Sequence, residues 1–198
     1  PNRVVITGDL IDKLAWLPQV CERLTTFAKQ IPDGVDFILG NHEYHHDVNK
    51  VLDELKHNTP MNILVNSNIQ IMGGKQPVYI TGVAYDNDRE KEKREAMIDK
   101  ALSGIPDYAF VILLAHHPEF FEEAIERKIP LTLSGHTHGG QIVFMGMPLV
   151  PTGTPYTKGR YVEEQSVCYV NNGSGHWFPI RINCPREITV ITFFDGVA

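Results

Sequence analysis

The stretch Leu131-Thr132-Leu133-Ser134-Gly135-His136-Thr137-His138-Gly139-Gly140-Gln141 decides the fold. A short apolar run passes directly into a glycine-bounded loop that carries imidazoles two residues apart. Runs this apolar read as strands covered on both faces, and glycines let the chain turn sharply behind them. The arrangement recurs upstream. Val4-Val5-Ile6 leads into Thr7-Gly8-Asp9, Phe37-Ile38-Leu39 into Gly40-Asn41-His42-Glu43, and the run 110–115 into His116-His117-Pro118. In open α/β folds ligands gather beyond the carboxyl ends of strands. Asp9, Asn41, His116, His136 and His138 are therefore predicted to converge despite their separation in sequence.

Helical patterns lie between these strands. Pro18 suits a first helical turn, with Cys21, Leu24 and Ala28 as the apolar stripe behind it. Val48, Val51, Leu52 and Leu55 form a second stripe. Met97, Ala101 and Leu102 mark a third helix within the charged stretch 87–102, and Phe120, Phe121, Ala124 and Ile125 a short fourth. Strand alternating with helix predicts an α/β sandwich. A strand is also expected over 78–83, after a hairpin turn at Gly73-Gly74. Beyond Gly140 the helices stop: 141–150 is apolar and rich in Gly and Met, 151–160 is turn-rich, and strands are expected over 165–170 and 187–194. No linker or repeat divides the chain, so residues 1–198 read as one domain.

Composition narrows the partners. The formal net charge is −6 and 42% of the residues are hydrophobic, enough for a sizeable core. An acidic chain without a Lys/Arg stripe predicts no nucleic-acid partner. Cys21, Cys168 and Cys184 are an odd, widely spaced set and read as buried thiols. No run of apolar residues is long enough to span a membrane.

A carboxylate, an amide oxygen and imidazoles suit Mn, Fe or Zn better than the all-oxygen shells of Ca or Mg. The neighbour of a metal-binding Asn seldom enters the same compact shell, which leaves His42 for proton transfer. His117 is read as pointing away from the ligand set, and Asp86 as a supporting carboxylate. His45 and His46 read as solvent-facing or turned to a substrate head group, and His57 as surface. His176 lies in Gly175-His176-Trp177-Phe178-Pro179, a loop that rims the site, meets a lipid surface or simply packs.

Gly8-Asp9, Gly40-Asn41-His42-Glu43, Ala115-His116-His117-Pro118 and Gly135-His136-Thr137-His138, in this order, resemble the calcineurin-like metallophosphoesterase family. The loop extended to Gln141, with Asn171-Asn172-Gly173-Ser174-Gly175 and Cys184-Pro185-Arg186-Glu187-Ile188, looks like its bacterial membrane-linked branch, similar to UDP-2,3-diacylglucosamine pyrophosphatases. The resemblance implies a β-sandwich of two mixed sheets flanked by helices. It also implies two divalent or trivalent ions (Mn, Fe or Zn), with Asp9 bridging them, Asn41, His116 and His136 completing one site, and His138 belonging to the other. The implied reaction is hydrolysis of a phosphomonoester, phosphodiester or pyrophosphate by a metal-bridging hydroxide, with Asp9 and His42 as catalytic residues and His42 protonating the leaving oxygen. Members carry an Asp-x-His motif on a first strand, and none precedes Gly8-Asp9 here. The domain is thus expected to be N-terminally incomplete, lacking the first strand, with one complete metal site and a missing segment that pairs in cis or in trans. A lipid-linked phosphate ester, peripheral membrane contact, and a cytoplasmic or membrane-peripheral location follow from the same resemblance. The other readings are a catalytically impaired metal-binding fragment or interaction module, and a nucleic-acid phosphodiesterase, which the acidic balance disfavours.

Overall fold

The computed structural model describes residues 1–71, 74, 76–84 and 90–194. In chain order the strands are β1 (Val4–Ile6), β2 (Val35–Phe37), β3 (Asn62–Ile63), β4 (Ser67–Ile71), β5 (Val78–Gly82), β6 (Phe110–Leu114), β7 (Leu131–Ser134), β8 (Val143–Phe144), β9 (Met147–Pro148), β10 (Gly159–Glu163) and β11 (Ser166–Val170). The helices are α1 (Leu17–Ala28), α2 (Asn41–Tyr44), α3 (Val48–Asn58), α4 (Lys91–Leu102) and α5 (Phe120–Glu126). Pro18 sits in the first turn of α1, where its missing N–H costs nothing. Asp47 caps α3 by accepting the Lys50 N–H at 3.2 Å. The expected helices and the strand after Gly74 are all present; Gly73 and Asp86 lie outside the described residues.

The strands form three sheets rather than the two expected. β1, β2 and β3 make a parallel sheet in that order. The second sheet runs β10-β11-β7-β6-β5-β4, parallel through its centre and antiparallel at both edges. β8 and β9 pair with each other as a hairpin. Alternation along β6 shows how the layers stack: Val111 and Leu113 pack with Phe120 and Phe121 of α5 and Ile98 of α4. Ile112 and Leu114 face the other way, onto Ile38 and Leu64 beside the first sheet. On the far side of that sheet Val35 and Phe37 meet Leu17 and Cys21 of α1 and Val51 and Leu55 of α3. The result is a helix–sheet–sheet–helix sandwich. Cys21, Cys168 and Cys184 are free and buried. Among the described residues no helix is long and apolar enough to cross a membrane.

The strand expected over 187–194 does not form. Its alternation is real, with Ile188 at 86% and Val190 at 81% exposure, but no ladder partner lies beside it among the described residues. A strand needs a neighbouring edge to take its N–H and C=O groups. This segment is held by side chains instead: Tyr169 donates to Glu187, Asn171 to Thr189 at 2.7 Å, and Phe193 meets Phe110 edge-on.

The sheets approach closely at Gly82. A Cβ there would collide with Leu64 Cβ and stand 2.7 Å from Ile38 Cγ2. We expect Gly82→Ala to lower the unfolding free energy in urea by roughly 1–3 kcal/mol, the usual cost of overpacking a core, while a Gly34→Ala control, where nothing crowds the added methyl, tests the separate cost of positive φ.

Candidate metal centre

The site lies where the loops after β1, β2, β6 and β7 meet. Two features of the local sequence allow this. Gly8 has φ +93°, and a Cβ on it would stand 2.6 Å from both the Gly40 nitrogen and His116 Nδ1, so only glycine lets the first two loops touch. Glu43, fully buried in α2, then ties them together. Its carboxylate accepts N–H bonds from Gly40 at 2.7 Å, Asp9 at 3.0 Å, Leu10 at 2.7 Å and Ile11 at 3.1 Å. Burial, with the Asp9 charge adding to it, holds the Glu43 carboxyl above its ordinary range despite these donors.

Asp9, Asn41, His116 and His136 come together on this frame. His116 Nε2 is 3.3 Å from Asp9 Oδ2 and 3.0 Å from Asn41 Oδ1. His136 Nδ1 is 3.0 Å from the same Asn41 oxygen and 3.3 Å from His116 Nε2. His116 Nδ1 lies 2.6 Å from the Thr7 carbonyl, which only accepts, so Nδ1 carries a proton and Nε2 faces Asp9 and Asn41. Without a cation, a proton on His116 Nε2 bridges to Asp9; with both imidazoles neutral toward the centre, oxygen and nitrogen lone pairs face one another. Such a set repels itself unless a cation fills its centre, and a neutral-imidazole, carboxylate and amide donor set fits a transition-metal ion.

The ionisation pattern agrees. Burial, reinforced by the His117 and His116 charges, drops the His136 pKa to about 3. Burial and the Arg181 charge drop His138 to about 4. Both imidazoles are therefore neutral at pH 7, as ligands must be. Burial opposes charge on His116, but Asp9 outweighs it and raises the pKa. Burial likewise favours the neutral acid of Asp9, yet His116 and the His42 N–H hold it well below the usual carboxylate range. Asp9, His136 and His138 also share left-handed backbone, with φ of 56°, 65° and 51°. Strain of this kind in residues with a Cβ collects at functional sites.

His138 faces the same cavity of about 250 Å³, which Asp9, Asn41, His42 and His136 also line. Its Nδ1 is 3.4 Å from Arg181 Nη2. His42 has its N–H on Asp9 Oδ1 at 2.9 Å, its Nδ1 at 3.2 Å from Asp12, and its Nε2 at 4.0 Å from Asp9 Oδ2. His117 does not point away as expected: it is buried and stacks on His136 with ring centroids 3.8 Å apart, and His116, His117 and His136 form a cluster compatible with a partial metal site. Stacked rings offer faces rather than lone pairs to each other, so His117 supports the orientation of His136. His45 sits against the His42 ring, while His46 Nε2 is 3.1 Å from the Asp12 carbonyl. His57 and His176 are exposed, and Trp177 lines the cavity. Sequence reasoning gave no role to Glu43, Asp12, Gln141 or Arg181. The one local signal was Glu43 three residues after Gly40, the spacing of a helix-start carboxylate.

The chain belongs to the calcineurin-like phosphoesterase family, whose model matches residues 1–140. It is 37% identical over 199 residues to an uncharacterized metallophosphoesterase of Campylobacter jejuni, an alignment covering 96% of this chain and 50% of that protein. It is 32% identical over 209 residues to the uncharacterized metallophosphoesterase YkuE of Bacillus subtilis, covering 97% and 68%. It is also 32% identical over 201 residues to a transmembrane protein with metallophosphoesterase domain from Danio rerio, covering 96% and 45%. The chain spans about half the length of the Campylobacter and Helicobacter relatives it matches. Among solved structures, the sulfate thiohydrolase SoxB of Thermus thermophilus shares the fold with a TM-score of 0.50 at 14% identity, over 84% of this chain and 33% of that one.

Two outcomes test the frame and the charges. Glu43→Gln puts an amide N–H against backbone donors, and we expect a loss of roughly 1–3 kcal/mol of stability in urea, the cost of leaving buried donors unsatisfied, with weaker metal retention. For the metal-free protein in chelator, His136 ionises in the unfolded chain at its reference pKa of 6.5 but in the fold only at about 3. The unfolded state then binds more protons throughout this window, so the His136 contribution to stability is lost as pH falls from 6.5 toward 3. His136→Asn should flatten the acid limb of stability measured by urea titration at stepped pH; an unchanged limb would show that His136 is not held neutral.

Proposed function

We propose that the protein containing this chain is a metal-dependent hydrolase of phosphate esters, acting on a phosphomonoester, phosphodiester or pyrophosphate bond. The observation that carries this reading is the inward convergence of Asp9 Oδ2, Asn41 Oδ1, His116 Nε2 and His136 Nδ1 at 3.0–3.3 Å. These atoms would hold one Mn, Fe or Zn ion, and Asp9 with His138 would contribute to a second. Such ions activate water and offset negative charge on phosphoryl oxygens.

The chain's own residues prepare the rest. Thr7 fixes the His116 tautomer and Glu43 fixes the Asp9 backbone. Asp12 accepts from His42 Nδ1, which turns Nε2 toward the cavity; His42 is then placed to hand a proton to the departing ester oxygen. Val150, Pro151 and Trp177 add apolar lining to the cavity that these groups share, which supports a substrate with an apolar or lipid-linked portion. β1 is an edge strand among the described residues, and it runs directly into Asp9. A further strand pairing there, in cis or in trans, would bring additional ligands to the Asp9 side. A second reading, a metal-binding module without turnover, is favoured by one contact: Arg181 against His138 Nδ1 places a fixed positive charge beside the ligand-poor second site.

Metal analysis and ester hydrolysis by the full-length protein separate these readings. We expect two ions per polypeptide and chelator-sensitive hydrolysis of an aryl phosphodiester; one ion with no turnover supports the non-catalytic module. His42→Ala should leave metal content unchanged and slow alkyl phosphate esters by roughly 10²–10⁴-fold, while nitrophenyl esters, whose leaving groups need little protonation, lose far less. Equal losses on both ester types, or loss of an ion, would overturn the role given to His42.

A further inference from the structure

Beyond the groups of the metal centre, the cavity is lined by Thr137, Val150, Pro151, Thr152 and Trp177. Among the described residues no Lys or Arg lines it. The two threonine hydroxyls are already engaged. Thr137 donates to the Thr157 carbonyl at 2.6 Å, and Thr152 meets the Thr154 carbonyl at 3.3 Å and the Thr157 hydroxyl at 3.1 Å. What this part of the lining offers a ligand is therefore an indole, a pyrrolidine ring and an isopropyl group.

These apolar groups are fastened to the metal loop on two flanks. Gln141 directly follows that loop, and its side chain is fully buried. It donates to the carbonyls of Phe178 at 2.5 Å and Ile180 at 2.9 Å and accepts the Trp177 N–H at 3.2 Å. Its own backbone has φ 52° and ψ −40°, with the Ile142 N–H on the Gly140 carbonyl at 2.5 Å, the rare and strained γ-turn of positive φ. On the other flank Gly140 has φ +74°, and a Cβ on it would collide with Pro148 Cβ, so glycine lets Pro148 press against the metal loop. The Leu149 N–H then bonds the Ile142 carbonyl at 2.8 Å, directly before Val150 and Pro151. Trp177 nevertheless stays 52% exposed. A strained turn and a buried amide that hold a half-exposed indole at a cavity mark that indole as a ligand contact.

The cavity it shares with the metal centre identifies the occupant. A group resting on Trp177 while the metal centre takes a phosphoryl group is joined to that phosphoryl group or close to it. A second phosphate there would need cations or free donors, and this lining gives neither. An uncharged apolar group loses no hydrogen bonds there and removes the indole from water. At about 250 Å³ the cavity is smaller than the roughly 300–1,000 Å³ of sites for drug-sized ligands, so the group it encloses is compact.

We infer that Trp177, with Val150 and Pro151, determines specificity at this site by selecting phosphate esters that carry a compact, uncharged apolar group directly on the phosphoryl oxygen, a selection that rests on the proposed hydrolase reading and narrows its bond types to esters rather than pyrophosphates.

Full-length protein labelled with fluorotryptophan and loaded with Zn²⁺ gives a readout apart from turnover, with the Trp177 resonance assigned by its loss in Trp177→Phe. The probes are phenylphosphonate, methylphosphonate and phosphonopropionate, whose carbon–phosphorus bonds resist hydrolysis; the last carries a second anionic group. Phenylphosphonate should shift the Trp177 resonance and bind on the order of tenfold tighter than methylphosphonate, the scale of one stacked ring. Phosphonopropionate should bind no tighter than methylphosphonate. Trp177→Ala should bring the phenyl-to-methyl ratio close to one, and Trp177→Phe should restore much of it. A ratio near one in the unaltered protein, a ratio that survives Trp177→Ala, or a preference for the anionic probe over phenylphosphonate overturns the inference, while methylphosphonate binding still upholds a phosphate site. Binding of none of the three overturns the proposed function and this selection with it, so the two failures are separately visible.

Discussion

Glu43 accepts N–H groups from two loops that belong to different strands, and the site depends on that junction. One carboxylate, fully buried, takes Gly40 from the loop after β2 and Asp9, Leu10 and Ile11 from the loop after β1. Short loops at the ends of parallel strands leave backbone donors that have no ladder to join. A buried carboxylate facing several donors solves that problem, and the donors offset part of the cost of removing its charge from water. The consequence reaches past stability. With the two loops fastened, the Asp9 carboxylate and the Asn41 amide face the same point, and neither could be delivered by its own loop alone.

Around this junction the structure concentrates conformations that chains avoid elsewhere. Asp9, His136 and His138 all adopt left-handed backbone, and oxygen and nitrogen atoms of Asp9, Asn41, His116 and His136 crowd to within 3.0–3.3 Å of one another. With neutral imidazoles, the crowded lone pairs disfavour a cation-free site. The low pKa values of His136 and His138, about 3 and about 4, follow from the same crowding, because burial and neighbouring positive groups disfavour the charged imidazolium. A site built this way fits a cation that accepts several lone pairs at once.

The C-terminal part of the chain gives this centre its surroundings. Arg181 gathers the carbonyls of His138, Asn172, Gly175 and Cys184 around one guanidinium. Gln141 does the same for the segment carrying Trp177. These two side chains, together with the parallel bridge between Ile142 and Ile182, bind irregular loops to the metal loop, which explains how a rim of coil is positioned beside it.

Much of this was legible in the sequence. Val4-Val5-Ile6 before Gly8-Asp9 and Leu131-Thr132-Leu133 before Gly135-His136 identify strand ends with ligand-type residues because strand hydrophobicity and glycine turns are local properties. Parallel strands bring their carboxyl ends to one side, so convergence of Asp9, Asn41, His116 and His136 follows from topology class alone. The stripe on α1, the Pro18 start and the buried thiols were equally readable. What the tertiary structure decided depends on partners far away in sequence. Glu43 becomes a clamp only because Asp9 lies 34 residues upstream, and His117 joins the cluster because β7 brings His136 against it. Arg181 matters because its loop folds back 43 residues to His138. Residues 187–194 have the alternation of a strand but join no ladder among the described residues, and the hairpin at 143–148 forms a third sheet. Local pattern specifies which conformation a segment favours; whether a ladder, a carbonyl cage or a facing lone pair awaits it is fixed only when distant segments pack together.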